Sequence, residues 1–185
     1  MRQPLPDFPW DALAPYATKA RAHADGIIDL SQGTPVDATP EIIQSALRAS
    51  SNSPRYPVTA GTKDLQEAIR NWAITHLGAS GDFDVLPVIG SKELVAWLPT
   101  ILESKSVIYP DVAYPTYLVG ALLAQSQPIR VGIDADTWPS ADFAWINTPG
   151  NPTGRVHSEA ELRGAIKWAR ANDSVLVCDE CYIDF

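Results

Sequence analysis

The segment spanning residues 143–182 constrains the fold more than any other part of this chain. Residues 143–146 form a short apolar run, which predicts a strand. The loop after it, residues 147–154, contains two prolines and two glycines, which exclude regular structure. In an open parallel sheet, loops at the carboxyl ends of strands line the ligand crevice, so we expect polar side chains of this loop to face a ligand.

A helix and a second strand follow this loop. Ser158 and Glu161 have the spacing of a capping box, and apolar residues recur after them at helical intervals. The β-branched run at residues 174–178 then predicts a strand that delivers Asp179 and Tyr182 to its end. Two neighbouring strands are therefore expected to bring two polar motifs to one edge of a sheet.

The same alternation of strand and helix extends toward the N-terminus. Short apolar runs predict further strands at residues 27–30, 86–89, 107–110 and 129–133. Helical spacing predicts amphipathic helices over residues 63–77 and about 116–125. The alternation indicates an α/β fold, a mostly parallel sheet with helices on both faces.

Composition excludes several classes of function. The net charge of −8 argues against a nucleic-acid surface, which needs clustered Lys and Arg. No apolar run resembles a signal peptide or reaches membrane-spanning length, so a cytoplasmic protein is expected. Cys178 and Cys181 have Cys-x-x-Cys spacing, but there is no second cysteine pair and the three histidines are scattered. We therefore expect reduced, structural cysteines and no metal site.

The two motifs of the segment resemble those of a known family. Residues 151–154, Asn-Pro-Thr-Gly, follow the first strand, and residues 179–182, Asp-Glu-x-Tyr, follow the second. This order is similar to that of the large domain of fold-type I, pyridoxal-phosphate-dependent aminotransferases of class I/II. The resemblance implies that Asp179 pairs with the cofactor's pyridine nitrogen, and that Tyr182 and Asn151 hydrogen-bond its phenolic oxygen. A carboxylate beside that nitrogen favours the protonated ring, which is the better electron sink.

The resemblance also assigns the ends and the face of the cofactor. It implies a phosphate cup at Gly90, Ser91 and Lys92, where the first turn of a helix offers unsatisfied N–H groups. Tyr114, in the loop after the strand at residues 107–110, matches the aromatic residue that stacks on the cofactor ring.

Two further residues are implied to act at the substrate and across a dimer interface. Gly33 matches a glycine that approaches the substrate's carboxylate, and Asn151 is implied as a second substrate contact; a plain turn glycine is the alternative for Gly33. Tyr56 matches a tyrosine that reaches the cofactor phosphate of the neighbouring subunit, which implies a homodimer; an exposed loop tyrosine is its alternative.

The resemblance covers only the N-terminal part of such an enzyme. Residues 1–30 correspond to an N-terminal arm and part of the small domain, and residues 31–185 to an incomplete cofactor-binding large domain that stops before the last strands and the C-terminal small domain. All five lysines precede the Asp-Glu-x-Tyr motif, so the Schiff-base lysine of the family is expected beyond Phe185. We expect the 185-residue chain alone to be inactive.

A narrower resemblance concerns the substrate. Residues 5–11, 29–37 and 86–100 are similar to actinobacterial N-succinyldiaminopimelate aminotransferases of lysine and diaminopimelate biosynthesis. This implies amino transfer between N-succinyl-LL-diaminopimelate and 2-oxoglutarate, with glutamate as the usual amino donor. Two alternatives remain open: another fold-type I enzyme, such as a different aminotransferase or a carbon-sulfur lyase, and a non-catalytic remnant.

Overall fold

A four-stranded parallel sheet in the C-terminal half organises the fold. The computed structural model describes residues 4–33 and 35–185, so Thr34 of the turn after residues 27–30 lies outside the described residues. The chain divides into two compact units, Asp7–Pro87 and Val88–Phe185, and residues 4–6 belong with the second. The predicted boundary at residue 30, which concerns the domains of a longer protein, stays a prediction.

The sheet lies entirely in the second unit. Its strands are β1 (Ser106–Pro110), β2 (Gln127–Val131), β3 (Phe143–Asn147) and β4 (Val175–Asp179). Their order in the sheet is β2-β1-β3-β4, and all three pairings are parallel. The predicted parallel sheet is confirmed, and its strands begin and end within two residues of the predicted positions.

The described residues form six α-helices. They are α1 (Ala14–Arg21), α2 (Glu41–Ser50), α3 (Lys63–Leu77), α4 (Ser91–Ile101), α5 (Thr116–Leu123) and α6 (Glu159–Asn172). The capping box predicted at the start of α6 is present: the Ser158 hydroxyl accepts from the Glu161 N–H, and the Glu161 carboxylate accepts from the Ser158 N–H. Among the described residues, no helix is both long and apolar enough to cross a bilayer.

The strands bury side chains on both faces, as expected for a parallel sheet covered by helices. One core joins Ile108 and Ile146 to the α6 residues Ala165 and Trp168. The other core lies on the opposite face, where the fully buried Tyr117 of α5 meets strand residues that include Phe143 and Trp145. The sheet is therefore the middle layer, with α6 on one side and α4 and α5 on the other.

The unit Asp7–Pro87 is built differently. It contains α1, α2 and α3, and none of its described residues is buried. The strands predicted at residues 27–30 and 86–89 are wrong: the described residues there are coil, and Leu30 and Ile89 are 88% and 93% exposed. A strand needs a neighbouring strand to accept and donate its backbone hydrogen bonds, and in the described structure neither run has one.

Candidate functional site

A cavity of about 170 Å³ opens at the carboxyl end of the sheet, between β3, β4 and the start of α4. Six of the side chains predicted to bind cofactor line it: Ser91, Lys92, Tyr114, Asn151, Asp179 and Tyr182. They come from four separate stretches of the chain. The fold thus brings to one cavity six residues that the family resemblance had assigned to cofactor binding.

The three other predicted residues lie elsewhere. Gly90 is the N-cap of α4, directly before the lining residues Ser91 and Lys92. Gly33 and Tyr56 belong to the unit Asp7–Pro87, and Tyr56 is fully exposed. Their predicted roles toward substrate and a neighbouring subunit stay predictions.

Asp179 reaches the cavity as the last residue of β4 and is held on both carboxylate oxygens. The Tyr117 hydroxyl donates to Oδ2 over 2.7 Å, and the backbone N–H of Cys181 donates to Oδ1 over 3.2 Å. Tyr117 has no exposed surface. Burial, and then the hydrogen bond to Asp179, raise the pKa of the Tyr117 phenol far above its usual range. Tyr117 therefore stays protonated and remains a donor to the carboxylate.

Asn151 and Tyr182 face each other across the cavity. The Asn151 Nδ2 lies 3.3 Å from the Tyr182 hydroxyl oxygen and donates to it. Tyr182 keeps 38% of its surface exposed, so its hydroxyl is open to a further partner. An amide N–H and a phenol O–H at one point suit an anionic or partly anionic oxygen, such as the phenolic oxygen of a pyridoxal ring.

The N-terminus of α4 supplies a second polar end. Ser91 and Lys92 are its first two residues, and N–H groups of a first helical turn have no carbonyl partner within the helix. They also carry the positive end of the helix dipole. With the Lys92 side chain in the same cavity wall, this end is suited to a phosphate group.

An aromatic wall completes the cavity. The Tyr114 ring meets the Tyr117 ring edge-on, with centroids 6.2 Å apart and planes at 87°. This contact orients the Tyr114 ring from behind, because Tyr117 is itself fixed in the core against Trp145 at 5.1 Å.

The two cysteines are free thiols. Burial, and then the nearby Glu180, raise the pKa of Cys178 to about 12; burial, and then Asp179, raise the pKa of Cys181 to about 11. Cys181 lines the cavity but is protonated at neutral pH, and the thiolate is the reactive form. Across residues 4–33 and 35–185, no group of three or more His, Cys, Asp or Glu residues is placed to hold a metal ion.

Two residues of the site were missed by the sequence analysis. Tyr117 follows Tyr114 by three residues, and helical spacing alone assigns it to the core, so its bond to Asp179, 62 residues away, leaves no local trace. Asn147 also lines the cavity and is 4% exposed. A signal for Asn147 was present, because it is the first polar residue after an apolar strand, as Asp179 is after the next.

The cavity fits pyridoxal phosphate by its donor set. It contains a carboxylate that suits a protonated ring nitrogen, an amide and a phenol that suit an anionic oxygen, and a helix N-terminus that suits a phosphate.

Comparisons with known proteins identify the family. A family model described as "Aminotransferase class I and II" matches residues 25–185. The chain is 45% identical, over 98% of its length, to the 4-dedimethylamino-4-oxo-anhydrotetracycline transaminase OxyQ of Streptomyces rimosus, of which it covers 52%. It is 47% identical over 97% of its length to the probable aminotransferase Rv1178 of Mycobacterium tuberculosis, of which it covers 44%.

A solved structure agrees with this assignment. The N-succinyldiaminopimelate aminotransferase of Mycobacterium tuberculosis superposes with a TM-score of 0.77 at 26% identity, over 94% of this chain and 49% of that one. The chain thus spans about half the length of the curated relatives it matches. The matched family uses pyridoxal phosphate as its cofactor. The parallel sheet with helices on both faces is the fold-type I architecture, truncated relative to the family's members. The chain belongs to the class I and II aminotransferases.

Proposed function

We propose that this chain supplies the cofactor-binding sheet of a pyridoxal-phosphate-dependent transaminase. The observation that carries the proposal is the single cavity in which Asp179, Asn151, Tyr182 and the start of α4 meet. In this proposal Asp179 pairs with the ring nitrogen, Asn151 and Tyr182 bind the phenolic oxygen, and Ser91 and Lys92 bind the phosphate. Tyr114 lies against the ring face.

The bound cofactor supplies an electron sink for the electron pair released at an amino acid's α-carbon. The chain's own residues prepare the cavity for it. Asp179 keeps the ring nitrogen protonated, because an opposite charge at hydrogen-bond distance favours the charged form. The Tyr117 hydroxyl keeps that carboxylate pointed into the cavity, since the bond of 2.7 Å fixes one of its two oxygens.

The proposed substrates are N-succinyl-LL-diaminopimelate and 2-oxoglutarate, with glutamate as the amino donor in the reverse direction. Support comes from the similarity of residues 5–11, 29–37 and 86–100 to that subgroup and from the structural likeness to an N-succinyldiaminopimelate aminotransferase. A second substrate class also has support. The chain is 45% identical to OxyQ, which is named as a transaminase of 4-dedimethylamino-4-oxo-anhydrotetracycline, a cyclic ketone. Under that alternative the acceptor is a cyclic ketone instead of a 2-oxo acid.

We also propose that the working enzyme is a homodimer of a longer protein. The complete exposure of Tyr56 leaves its hydroxyl available to a neighbouring subunit, and Gly33 leaves room for a substrate carboxylate, since nothing lies within 4 Å of a Cβ built there. The lysine that binds the cofactor covalently would lie in the part of that protein after Phe185. The 185-residue chain alone is expected to bind the cofactor without turnover.

A cofactor titration tests the first part of this proposal. Pyridoxal phosphate added to the 185-residue chain should bind saturably, as measured by its visible absorbance. Asp179→Asn keeps the shape and removes the charge, and we expect it to weaken binding about tenfold or more, because a charged hydrogen bond is lost. Asp173→Asn is the matched control, because Asp173 follows α6 outside the cavity. Removing its charge should leave the affinity for pyridoxal phosphate unchanged.

A transamination assay tests the substrate. The coding frame is read past Phe185, and the longer product is incubated with N-succinyl-LL-diaminopimelate and 2-oxoglutarate while glutamate is measured. Glutamate formation at the expense of 2-oxoglutarate is the expected result. A longer product that binds pyridoxal phosphate but forms no glutamate from this pair contradicts the substrate assignment and leaves the cofactor assignment standing; activity with a cyclic ketone would then favour the alternative.

A further inference from the structure

The side-chain amide of Asn147 uses all of its hydrogen-bonding groups inside the protein. Its Nδ2 donates to the backbone oxygens of Pro149, over 3.1 Å, and Asp179, over 3.0 Å. Its Oδ1 accepts the backbone N–H of Asn151 over 2.7 Å. An amide has two N–H bonds and one carbonyl oxygen, so both donors and the acceptor are engaged. Asn147 is 4% exposed, and water is nearly excluded from these bonds.

These bonds end on the two segments that carry the polar wall of the cavity. Asn151 lies in the loop at residues 148–154, directly after β3, where no helix or strand fixes the backbone. Its backbone N–H is held by Asn147, and its side chain then faces the Tyr182 hydroxyl. Asp179 is the last residue of β4, and its backbone oxygen accepts from both the Asn147 amide and the Thr148 N–H, the latter over 3.1 Å.

One buried amide therefore lies between two groups that must keep a fixed separation. On the proposed function, Asp179 meets the ring nitrogen and Asn151 the phenolic oxygen of the same rigid ring. A displacement of either segment by a fraction of an ångström would misplace one contact while the other is made. Precise separation across two segments calls for a single group bonded to both, because independent supports would let each segment move separately.

We propose that Asn147 is a positioning residue that couples Asn151 to Asp179, and that it thereby sets the spacing of the groups that grip the cofactor ring. The proposal rests on the proposed function for its cofactor part only. The coupling itself is a property of the chain without ligand. A plain buried amide that satisfies the loop, with no coupling, would share the burial but would not transmit a change from one segment to the other.

Three variants separate these possibilities. Asn147→Ala removes all three bonds. Asn147→Asp keeps an oxygen to accept from the Asn151 N–H but removes both donors at neutral pH; lowering the pH protonates the new carboxyl and returns one donor. Asn172→Ala is the matched control, because the Asn172 amide also donates to a backbone oxygen, that of Trp168 over 2.8 Å, at the far end of α6.

Amide hydrogen exchange of the 185-residue chain, followed by NMR without cofactor, is the first measurement. In Asn147→Ala we expect the Asn151 amide to exchange about tenfold faster, together with shifts in the backbone signals of residues 179–182. In Asn147→Asp at pH 7 the acceptor for the Asn151 N–H is kept and the bond to the Asp179 backbone oxygen is lost, so coupling predicts that residues 179–182 shift, that the Asn151 amide also exchanges faster, and that acid partly restores both. An Asn151 amide that stays protected while residues 179–182 shift would show that the two segments move independently. If Asn147→Ala speeds exchange at Asn151 but leaves residues 179–182 in place, the coupling is refuted.

A pyridoxal phosphate titration of the same proteins is the second measurement. We expect Asn147→Ala to bind pyridoxal phosphate about tenfold more weakly and Asn172→Ala to bind it with unchanged affinity. For Asn147→Asp, the affinity relative to that of the unsubstituted chain should partly recover at lower pH. An unsubstituted chain that fails to bind contradicts the proposed function, while the exchange data still decide the coupling. Coupled shifts with unchanged affinity would overturn the role of Asn147 in cofactor placement.

Discussion

Replacing Tyr117 with phenylalanine removes one hydroxyl from the fully buried contact behind Asp179. The Tyr117 hydroxyl donates to the carboxylate over 2.7 Å, and a hydrogen bond to a charged group contributes about 1.5–3 kcal/mol. Asp179 is only half buried and lines the cavity, so water can take the place of the lost donor. We therefore expect a loss at the lower end, about 1.5 kcal/mol in the free energy of unfolding at pH 8.

The size of this loss should depend on pH. Burial and the bond to Asp179 raise the pKa of Tyr117 in the folded chain, so the folded state holds this proton more tightly than the unfolded state. The associated stability is complete below the ordinary tyrosine pKa of about 10 and is lost as the pH rises above it. At about pH 11, one unit above that pKa, the free energy of unfolding is lower by about 1.4 kcal/mol. Tyr117→Phe has no such proton, so its stability curve should meet that of the unsubstituted chain near pH 11.

Urea unfolding, followed by tryptophan fluorescence at pH 8 to 11, measures both curves. The two proteins share every ionisable group except the Tyr117 phenol, so the difference between the curves isolates Tyr117. Tyr109→Phe is the control for loss of a buried hydroxyl: the Tyr109 oxygen accepts from Arg130 over 3.1 Å, away from the cavity, and at pH 8 a smaller loss is expected. If the difference in free energy of unfolding between Tyr117→Phe and the unsubstituted chain stays constant from pH 8 to 11, the reasoning is wrong.

Three further predictions follow from the packing of the sheet unit. Gly120→Ala would place a Cβ 2.8 Å from a backbone oxygen of α4 and should lower the free energy of unfolding by about 1–3 kcal/mol. Gly164→Ala places its Cβ 3.9 Å from the nearest atom, and it should raise the free energy of unfolding by about 0.5–1 kcal/mol because alanine favours the helix over glycine. Urea unfolding compares the two variants. Ser158→Ala removes the cap of α6 and should cost about 1 kcal/mol in the same assay. The raised pKa values of Cys178 and Cys181 predict slow alkylation by iodoacetamide at pH 8. The rate should rise with pH up to about 11 for Cys181 and about 12 for Cys178. Mass spectrometry of labelled peptides measures these rates, and fast labelling of the folded chain at pH 8 would contradict the prediction.

The sheet unit could be predicted from sequence because its signals are local. Residues 107–110, 143–146 and 174–178 are apolar runs bounded by loop-forming residues, and each forms a strand. The capping box at Ser158 and Glu161 marks the start of α6 within one turn. Since strand ends in a parallel sheet lie at a common edge, the meeting of Asn151 and Asp179 followed from topology alone.

The same reasoning failed where an apolar run lacked a partner in the structure. Residues 86–89 have the composition of a strand, yet Ile89 remains 93% exposed. An apolar pattern indicates a tendency to be buried, but it does not identify the surface against which the residues pack. The helix predicted at residues 63–77 has the predicted bounds, but Leu65 and Trp72 on its apolar side each keep 45% of their surface exposed. Helical spacing fixed the element and left its packing undetermined.

The register between β3 and β4 makes one site out of two motifs. Asn147 pairs with Asp179, and Trp145 pairs with Val177, so all four side chains point to the face covered by α4 and α5. A slip of one residue would turn the Asp179 side chain toward α6, away from the Tyr117 hydroxyl. The slip would also move Val177 from the core that contains Trp145 and Tyr117. The burial of apolar side chains along the strands therefore selects the register, and this register places Asp179 in the cavity.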